Sequence, residues 1–147
     1  MKTKKQKIFL FISIGVFIIS LTQKSYCSSY GFCDNFGFLS VLIGWLGVFM
    51  LHIPAFTWLA NPLLLGSWFF FKKKPKTSLI LSIIAFILML SFLLVDEIIS
   101  NEAGTKSKVV FYGLGYWLWV LSSFMMILGN LLINEKILKY LKINASK

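Results

Sequence analysis

Four long apolar stretches without a charged residue constrain what this sequence of 147 residues can fold into. They cover Ile8–Thr22, Phe36–Phe71, Thr77–Val95 and Val109–Ile133. Runs of about 18 or more apolar residues are typical of helices that cross a membrane. In hydrocarbon the backbone N–H and C=O groups must bond to one another, which only helices and closed barrels achieve. The pattern predicts an all-α membrane protein with four transmembrane helices in one domain, residues 1–147.

The lysines indicate on which side of the membrane each connection lies. The chain has 15 basic residues against 5 acidic ones, and every basic residue is a lysine. Twelve lysines form three clusters beside the apolar stretches: Lys2, Lys4, Lys5 and Lys7; Lys72, Lys73, Lys74 and Lys76; Lys136, Lys139, Lys142 and Lys147. Because lysine-rich connections stay in the cytoplasm, we expect a bacterial plasma (inner) membrane protein with both termini cytoplasmic. Residues 23–35 and 96–108 are then the outer loops.

The second apolar stretch is too long for one straight crossing. Residues 38–71 would form a helix of roughly 51 Å, whereas the hydrocarbon core is about 30 Å thick. Candidate breakers are His52, Pro54 and the pair Asn61 and Pro62. One interpretation places 36–52 in the outer interface or as a re-entrant segment, followed by a crossing at about 53–71. The alternative is one long kinked helix, because proline is tolerated in membrane helices.

The other crossings are expected at about 8–22, 78–95 and 109–133, followed by an amphipathic cytoplasmic tail at 134–147. The first is short, since its residues cover only about 22 Å as a helix. A cleaved signal peptide over residues 1–27 is the alternative, because a basic segment precedes an apolar one. Gln23, Lys24 and Tyr26 crowd the expected cleavage site, which favours an uncleaved first helix.

The outer loops carry both cysteines and most of the acidic residues. Cys27 and Cys33 lie together in the first loop. An oxidising compartment permits a disulfide between them, but the spacing alone does not distinguish a bridge from two free thiols. In the second loop we expect pairs of opposite charge between Asp96 or Glu97 and Lys106 or Lys108, each contributing only about 0–1 kcal/mol.

Asn61 is the most unusual polar residue of the predicted spans. It lies eleven positions from Lys72, which corresponds to about 16 Å and places it near the membrane midplane. An amide there needs a partner, and Ser122 and Ser123 lie at a similar depth. The pair Asn61 and Pro62 can serve as a hydrogen-bonded contact between helices, as a broken helix that exposes carbonyls to a small polar ligand, or as a kink that binds a partner. With His52 and Pro54 it forms the candidate intramembrane site.

The sequence lacks the residues that several classes of activity require. No acidic residue falls inside a predicted span, which argues against proton-coupled transport. A single histidine without neighbouring carboxylates is too little for a metal site, and the spacing of Cys27 and Cys33 does not fit a redox pair. We find no Gly-rich phosphate loop and no nucleophile paired with a base. We therefore expect no enzymatic activity, no cofactor, no metal and no nucleic-acid partner.

Three short segments resemble a group of small bacterial four-helix inner-membrane proteins with no assigned function. They are Gly44-Trp45-Leu46-Gly47, the core Trp58-Leu59-Ala60-Asn61-Pro62, and Gly115-Tyr116-Trp117-Leu118-Trp119. The resemblance implies a shared architecture and no activity. We expect a protein that acts through the lipid bilayer, another membrane protein or a second copy of itself, as an immunity or exclusion protein or an accessory subunit does. The alternatives are a holin-like pore former and a small-solute channel or carrier.

Overall fold

Helices make up most of the chain, which confirms the predominantly helical class. The structure, a computed structural model, describes residues 4–29, 35–49, 53–99 and 105–145. The helices there are α1 (Lys4–Thr22), α2 (Gly37–Phe49), α3 (Ala60–Phe70), α4 (Pro75–Ser91) and α5 (Leu114–Ala145), with 3₁₀ helices at Ile53–Leu59 and Phe92–Leu94. The strands are β1 (Lys24–Ser28), β2 (Asn35–Phe36), β3 (Glu97–Ile99) and β4 (Lys106–Tyr112).

The helices α1, α3, α4 and α5 pack side by side as a bundle. α5 packs against both α1 and α4, and α4 also packs against α3. The core between them is built from buried apolar side chains: Leu10, Phe17, Ala60, Leu64, Phe71, Ala85, Met89, Tyr116, Val120 and Met126. α2 lies beside the 3₁₀ helix Ile53–Leu59, where the Trp58 Nε1–H donates to the Val41 carbonyl over 2.8 Å.

A small antiparallel sheet covers one end of the bundle, and its strand order is β2-β1-β4-β3. β1 pairs with β4, so that Tyr26 lies opposite Tyr112 and Cys27 opposite Phe111. β3 pairs with β4 through Glu97 and Lys108. The two predicted outer loops are therefore one structural unit. The prediction of an all-α fold is wrong in this respect, because these two loops supply each other with strand partners.

The predicted boundaries of the fourth span also need correction. The apolar stretch was expected to be helical from Val109, but residues 109–112 belong to β4, and α5 begins at Leu114. Apolar content alone does not separate a strand from a helix, and the β-branched pair Val109 and Val110 favours the strand. At its other end α5 continues without interruption to Ala145, so the backbone of the predicted tail extends the same helix.

Among the residues that the structure describes, two helical segments rather than four are long and apolar enough by themselves to cross a membrane. They are Pro75–Leu94 and Leu114–Leu132, while the apolar helices Lys7–Thr22 and Gly37–Val48 are shorter. Four transmembrane helices are therefore not supported by length and composition. The second stretch falls short because it is divided: α2 ends at Phe49, a 3₁₀ helix follows, and α3 has only 11 residues.

Candidate functional site

The interior of the bundle is polar to an unusual degree. Its buried polar side chains are Ser13, Ser20, Asn61, Ser67, Ser78, Ser82, Ser122, Ser123 and Asn130. Small hydroxyl and amide side chains are enriched where membrane helices meet, because they allow close approach and can bond across the interface. The polar groups of the described bundle are thus concentrated between the helices.

The outward side of the bundle carries large apolar side chains instead. The exposed ones are Ile8, Phe11, Ile12, Ile18 and Ile19 on α1; Leu65 and Phe69 on α3; Ile80, Ile83, Ile84 and Ile87 on α4; and Leu114, Trp117, Leu121, Phe124 and Leu131 on α5. Within each helix, successive exposed residues are one, three, four, six or seven positions apart. With about 3.6 residues per turn, these spacings keep them on one side of the helix. The bundle is therefore apolar outside, and its interior combines the apolar core with buried serine and asparagine side chains.

Asn61 lies in the first turn of α3 and is only 5% exposed. Its side-chain Oδ1 accepts a hydrogen bond of 2.8 Å from the indole Nε1–H of Trp119 on α5. The expected partners, Ser122 and Ser123, instead donate to the carbonyls of Trp119 and Val120 in their own helix. The amide is therefore held between two helices by an aromatic donor.

The residues around Asn61 start a helix rather than break one. Pro62 follows it within the first turn of α3, where no helical N–H bond is needed and proline is compatible with the helix. Pro54 lies in the 3₁₀ helix that precedes α3. His52 lies outside the described residues. The predicted break thus falls between the end of α2 and the start of α3.

A second polar contact joins α3, α1 and α5. The Trp68 Nε1–H donates to Ser13 Oγ over 3.0 Å. The Ser13 hydroxyl in turn donates to the Ser122 carbonyl over 2.7 Å. Ser13 is fully buried. One hydroxyl therefore serves as acceptor for one helix and donor to another, a role that the isolated sequence position does not reveal.

Tyrosines connect the sheet to the bundle. The hydroxyls of Tyr112 and Tyr116 donate to the carbonyls of Phe92 and Met89. Tyr26 on β1 stacks against Phe92. Burial raises the pKa of the Tyr26 phenol, and burial together with the negative charge of nearby Asp96 raises the pKa of the Tyr112 phenol.

The aromatic side chains near the start of α5 do not all face the same way. Tyr116 is only 3% exposed, and Trp119 bonds Asn61, so both point inward. Trp117 is half exposed and faces outward. Tyr116 and Trp119 are three positions apart in α5, and this spacing is the sequence signal that places them on one side of the helix and Trp117 on another.

The two predicted outer loops contain the remaining candidate residues. Cys27 is disulfide-bonded, and Cys33 lies outside the described residues. Lys106 Nζ lies 3.4 Å from Glu97 Oε2, which confirms the expected ion pair in the second loop. Both side chains are largely exposed to solvent, so the pair adds little stability.

Asn130 on α5 differs from the other interior polar residues. It is fully buried, and neither its Oδ1 nor its Nδ2 atom has a hydrogen-bond partner. A buried amide without a partner costs about 1–3 kcal/mol.

The described residues define a helical bundle that is apolar outside, hydrogen-bonded inside and capped by a small sheet. No cluster of three or more metal-ligating side chains occurs among them. Comparison with protein-family models, with curated proteins and with solved structures finds no match. The resemblance to small inner-membrane proteins therefore stays a prediction.

Proposed function

We propose that this chain is a small multi-pass protein of the bacterial plasma membrane with four crossing segments and no enzymatic activity. The observation that supports this most is the exterior of the bundle, where large apolar side chains are exposed on every one of its helices. The two longest apolar segments have only 22% and 44% of their residues buried, whereas a core helix of a soluble protein would be mostly buried. Lipid is the solvent that suits this exterior.

The two further crossings are proposed for segments with a shorter apolar length. The apolar part of α1, Lys7–Thr22, corresponds to about 24 Å. The 3₁₀ helix has 7 residues and α3 has 11. With rises of about 2.0 and 1.5 Å per residue they add up to roughly 30 Å, the thickness of the hydrocarbon core. Leu59 at their junction has helical φ and ψ of −59° and −17°, so the two helices continue into each other.

The distribution of charge supports an orientation with the sheet outside. Lys4 and Lys7 and the turn of Lys72–Lys76 lie at the end of the bundle opposite the sheet, where the positive-inside rule favours the cytoplasm. The disulfide of Cys27 suits the outer side, because disulfides persist in oxidising compartments.

We further propose that the outer sheet is where the protein meets a partner, as an immunity or exclusion protein or an accessory subunit would. β4 exposes the large aromatic side chain of Phe111 at 61%, and Val110 at 68% is exposed on the other face of the strand. We take the Phe111 face as the contact surface. The partner expected here is another membrane protein with an apolar outer surface.

Two experiments test these proposals separately. Reporter fusions at Lys74, Asn101 and Lys147 test orientation: Lys74 and Lys147 should report the cytoplasm and Asn101 the outside. An outside location of Lys74 would contradict the four-crossing arrangement. A photo-crosslinking residue in place of Phe111 should capture a membrane protein, whereas the same residue in place of Phe69, which is similarly exposed but lies on α3, should capture lipid. Equal protein capture at both positions would contradict a partner surface on the sheet.

A holin-like pore or a small-solute channel is less well supported. The hydroxyls of Ser82, Ser122 and Ser123 bond carbonyls of their own helices, and do not offer a polar path to solutes. Leu64, Met89 and Met126 fill the space between the helices. Overexpression should therefore leave the membrane potential unchanged in a potential-sensitive dye assay, and rapid depolarisation would favour the pore.

A further inference from the structure

A cavity of about 460 Å³ lies at the sheet, just beyond the end of the segment that contains α4. It is lined by Asp96, Glu97, Lys108 and Val109. Asp96 lies directly before β3, and the other three residues belong to β3 and β4. Sites for small molecules in proteins typically measure about 300–1,000 Å³, so this cavity has room for one small polar group.

Strand pairing fixes the positions of the residues that line the cavity. Glu97 lies opposite Lys108 in the antiparallel register of β3 and β4. The Val109 N–H donates to the Asp96 carbonyl over 3.2 Å, which ties the residue before β3 to the same neighbour. The charged side chains of the cavity are therefore carried by backbone that is hydrogen-bonded on both sides of it.

In the part of the chain that the structure describes, two of the three charged side chains lining the cavity form no ion pair. Glu97 is paired with Lys106, whereas Asp96 and Lys108 are exposed and keep one charge of each sign. A ligand with only negative charge would be repelled by Asp96, and one with only positive charge by Lys108. A ligand that carries both charges complements the cavity.

An exposed apolar surface adjoins the cavity. Leu94, two positions before Asp96, is 84% exposed. It is the last residue of Pro75–Leu94, one of the two segments long and apolar enough to cross a membrane. Charged groups thus follow directly where the apolar surface ends, which is also the order of headgroup and acyl chain in a phospholipid. This continuity favours a lipid over a small soluble zwitterion.

We propose that the cavity binds the headgroup of a zwitterionic phospholipid with a primary ammonium group, of the phosphatidylethanolamine class. The Asp96 carboxylate accepts hydrogen bonds from the ammonium group, and the Lys108 ammonium donates to the phosphate. Hydrogen bonds between charged partners are the strong ones. An acyl chain lies along Leu94. The proposal rests on the proposed function, because it requires the sheet to lie at a membrane surface.

The test uses the full chain in micelles of an uncharged sugar detergent, titrated with phosphatidylethanolamine, phosphatidylcholine or phosphatidylglycerol. Phosphatidylcholine keeps both charges, but its quaternary ammonium has no hydrogen to donate. Phosphatidylglycerol has no positive charge. We expect phosphatidylethanolamine to bind at least about tenfold more tightly than either of the others, since one hydrogen bond to a charged group accounts for that ratio. Equal affinity for the three lipids would overturn the proposal.

Two variants assign the roles of the two charges. Asp96→Asn should abolish the preference for phosphatidylethanolamine, and Lys108→Gln should weaken its binding at least about tenfold. Both side chains are exposed, so the variants separate loss of binding from loss of folding. Lys74→Gln removes one exposed positive charge at the opposite end and should bind like the wild type. An unchanged lipid preference in Asp96→Asn would contradict the assignment.

Cell fractionation keeps this test distinct from that of the proposed function. Recovery of the chain in the aqueous fraction would contradict membrane insertion. The soluble headgroup glycerophosphoethanolamine would then be titrated in detergent-free buffer. Binding that is lost in Asp96→Asn would support the cavity as a headgroup site, and absence of binding would overturn it.

Discussion

Trp119 on α5 donates its indole N–H to the side-chain oxygen of Asn61 on α3 across 2.8 Å. α3 and α5 otherwise have little contact, since α4 packs against both of them. The bond therefore fixes the start of α3 against a helix that is not its main neighbour. It also gives the buried amide its partner, which an apolar surrounding requires.

We expect Asn61→Leu and Trp119→Phe to be coupled. Each removes one side of the same bond, so their effects on the free energy of unfolding should not add. The coupling should be about 0.6–1.7 kcal/mol, the range of hydrogen bonds between membrane helices. A double-mutant cycle in micelles measures it, with the outward-facing Trp117→Phe as the control partner. Strict additivity of Asn61→Leu with Trp119→Phe would show that the bond contributes nothing.

Ser13 and Ser82 provide a matched pair of buried serines. Ser13→Ala removes the acceptor of the Trp68 indole and the donor to the Ser122 carbonyl. Ser82→Ala removes only a bond to the Leu79 carbonyl of its own helix. We expect Ser13→Ala to destabilise the bundle by about 1–3 kcal/mol and Ser82→Ala by much less. Thermal unfolding of the two variants checks this, and equal losses would contradict the linking role of Ser13.

Gly113 lies where the strand β1 passes close to the start of α5. A Cβ atom there would lie 2.3 Å from the Lys24 carbonyl oxygen, and the Gly113 N–H bonds the Ser25 carbonyl over 2.8 Å. Gly113→Ala must push backbone apart and should destabilise by about 1–3 kcal/mol. Gly15→Ala in α1 meets nothing within 4 Å and should stabilise by about 0.5–1 kcal/mol. Chemical denaturation of both variants should give opposite signs, and the same sign would contradict the close approach.

The pKa of Tyr112 predicts a loss of stability in alkali. Its phenol is neutral when protonated, and the folded state raises its pKa above the ordinary 10.0. The protonated phenol therefore stabilises the folded state. This stabilisation is complete below the pKa of Tyr112 in the unfolded chain and is lost as the pH rises through its pKa in the folded protein. Unfolding temperatures should therefore fall above about pH 10 and fall less in Tyr112→Phe. That variant should also lose about 1 kcal/mol at neutral pH with its bond to Phe92. Parallel pH profiles of the two proteins would contradict the assignment.

The sequence predicts the helical class because the length of the apolar runs is by itself enough to indicate helices. It also predicts the division of the second run, since Pro54 stands where α-helix gives way to a 3₁₀ helix. It does not predict the sheet. β1 and β4 are far apart in sequence, and short strands form only when a distant partner is in place.

The interior contacts were the least predictable feature. The depth of Asn61 indicates that it needs a partner, and the partner is an indole rather than the expected serines. The predicted depth of Asn61 follows from the helix rise alone, whereas the identity of its hydrogen-bond partner depends on how each helix is rotated about its axis. That rotation follows from packing, such as the contact of Phe9 with Gly129 between α1 and α5, which no single helix encodes.

The strand pairing between β1 and β4 has a consequence for biogenesis. Ser29 and Lys108, which bond each other at this pairing, are 79 positions apart. At about 5–20 residues per second, the ribosome needs roughly 4–16 s to deliver the second strand after the first. During that interval α2, α3 and α4 are made, while β1 has only the two-residue strand β2 as a partner. Completion of the sheet therefore requires that the chain is made past α4 and β3, and a chain arrested after α4 would leave β1 without its β4 partner.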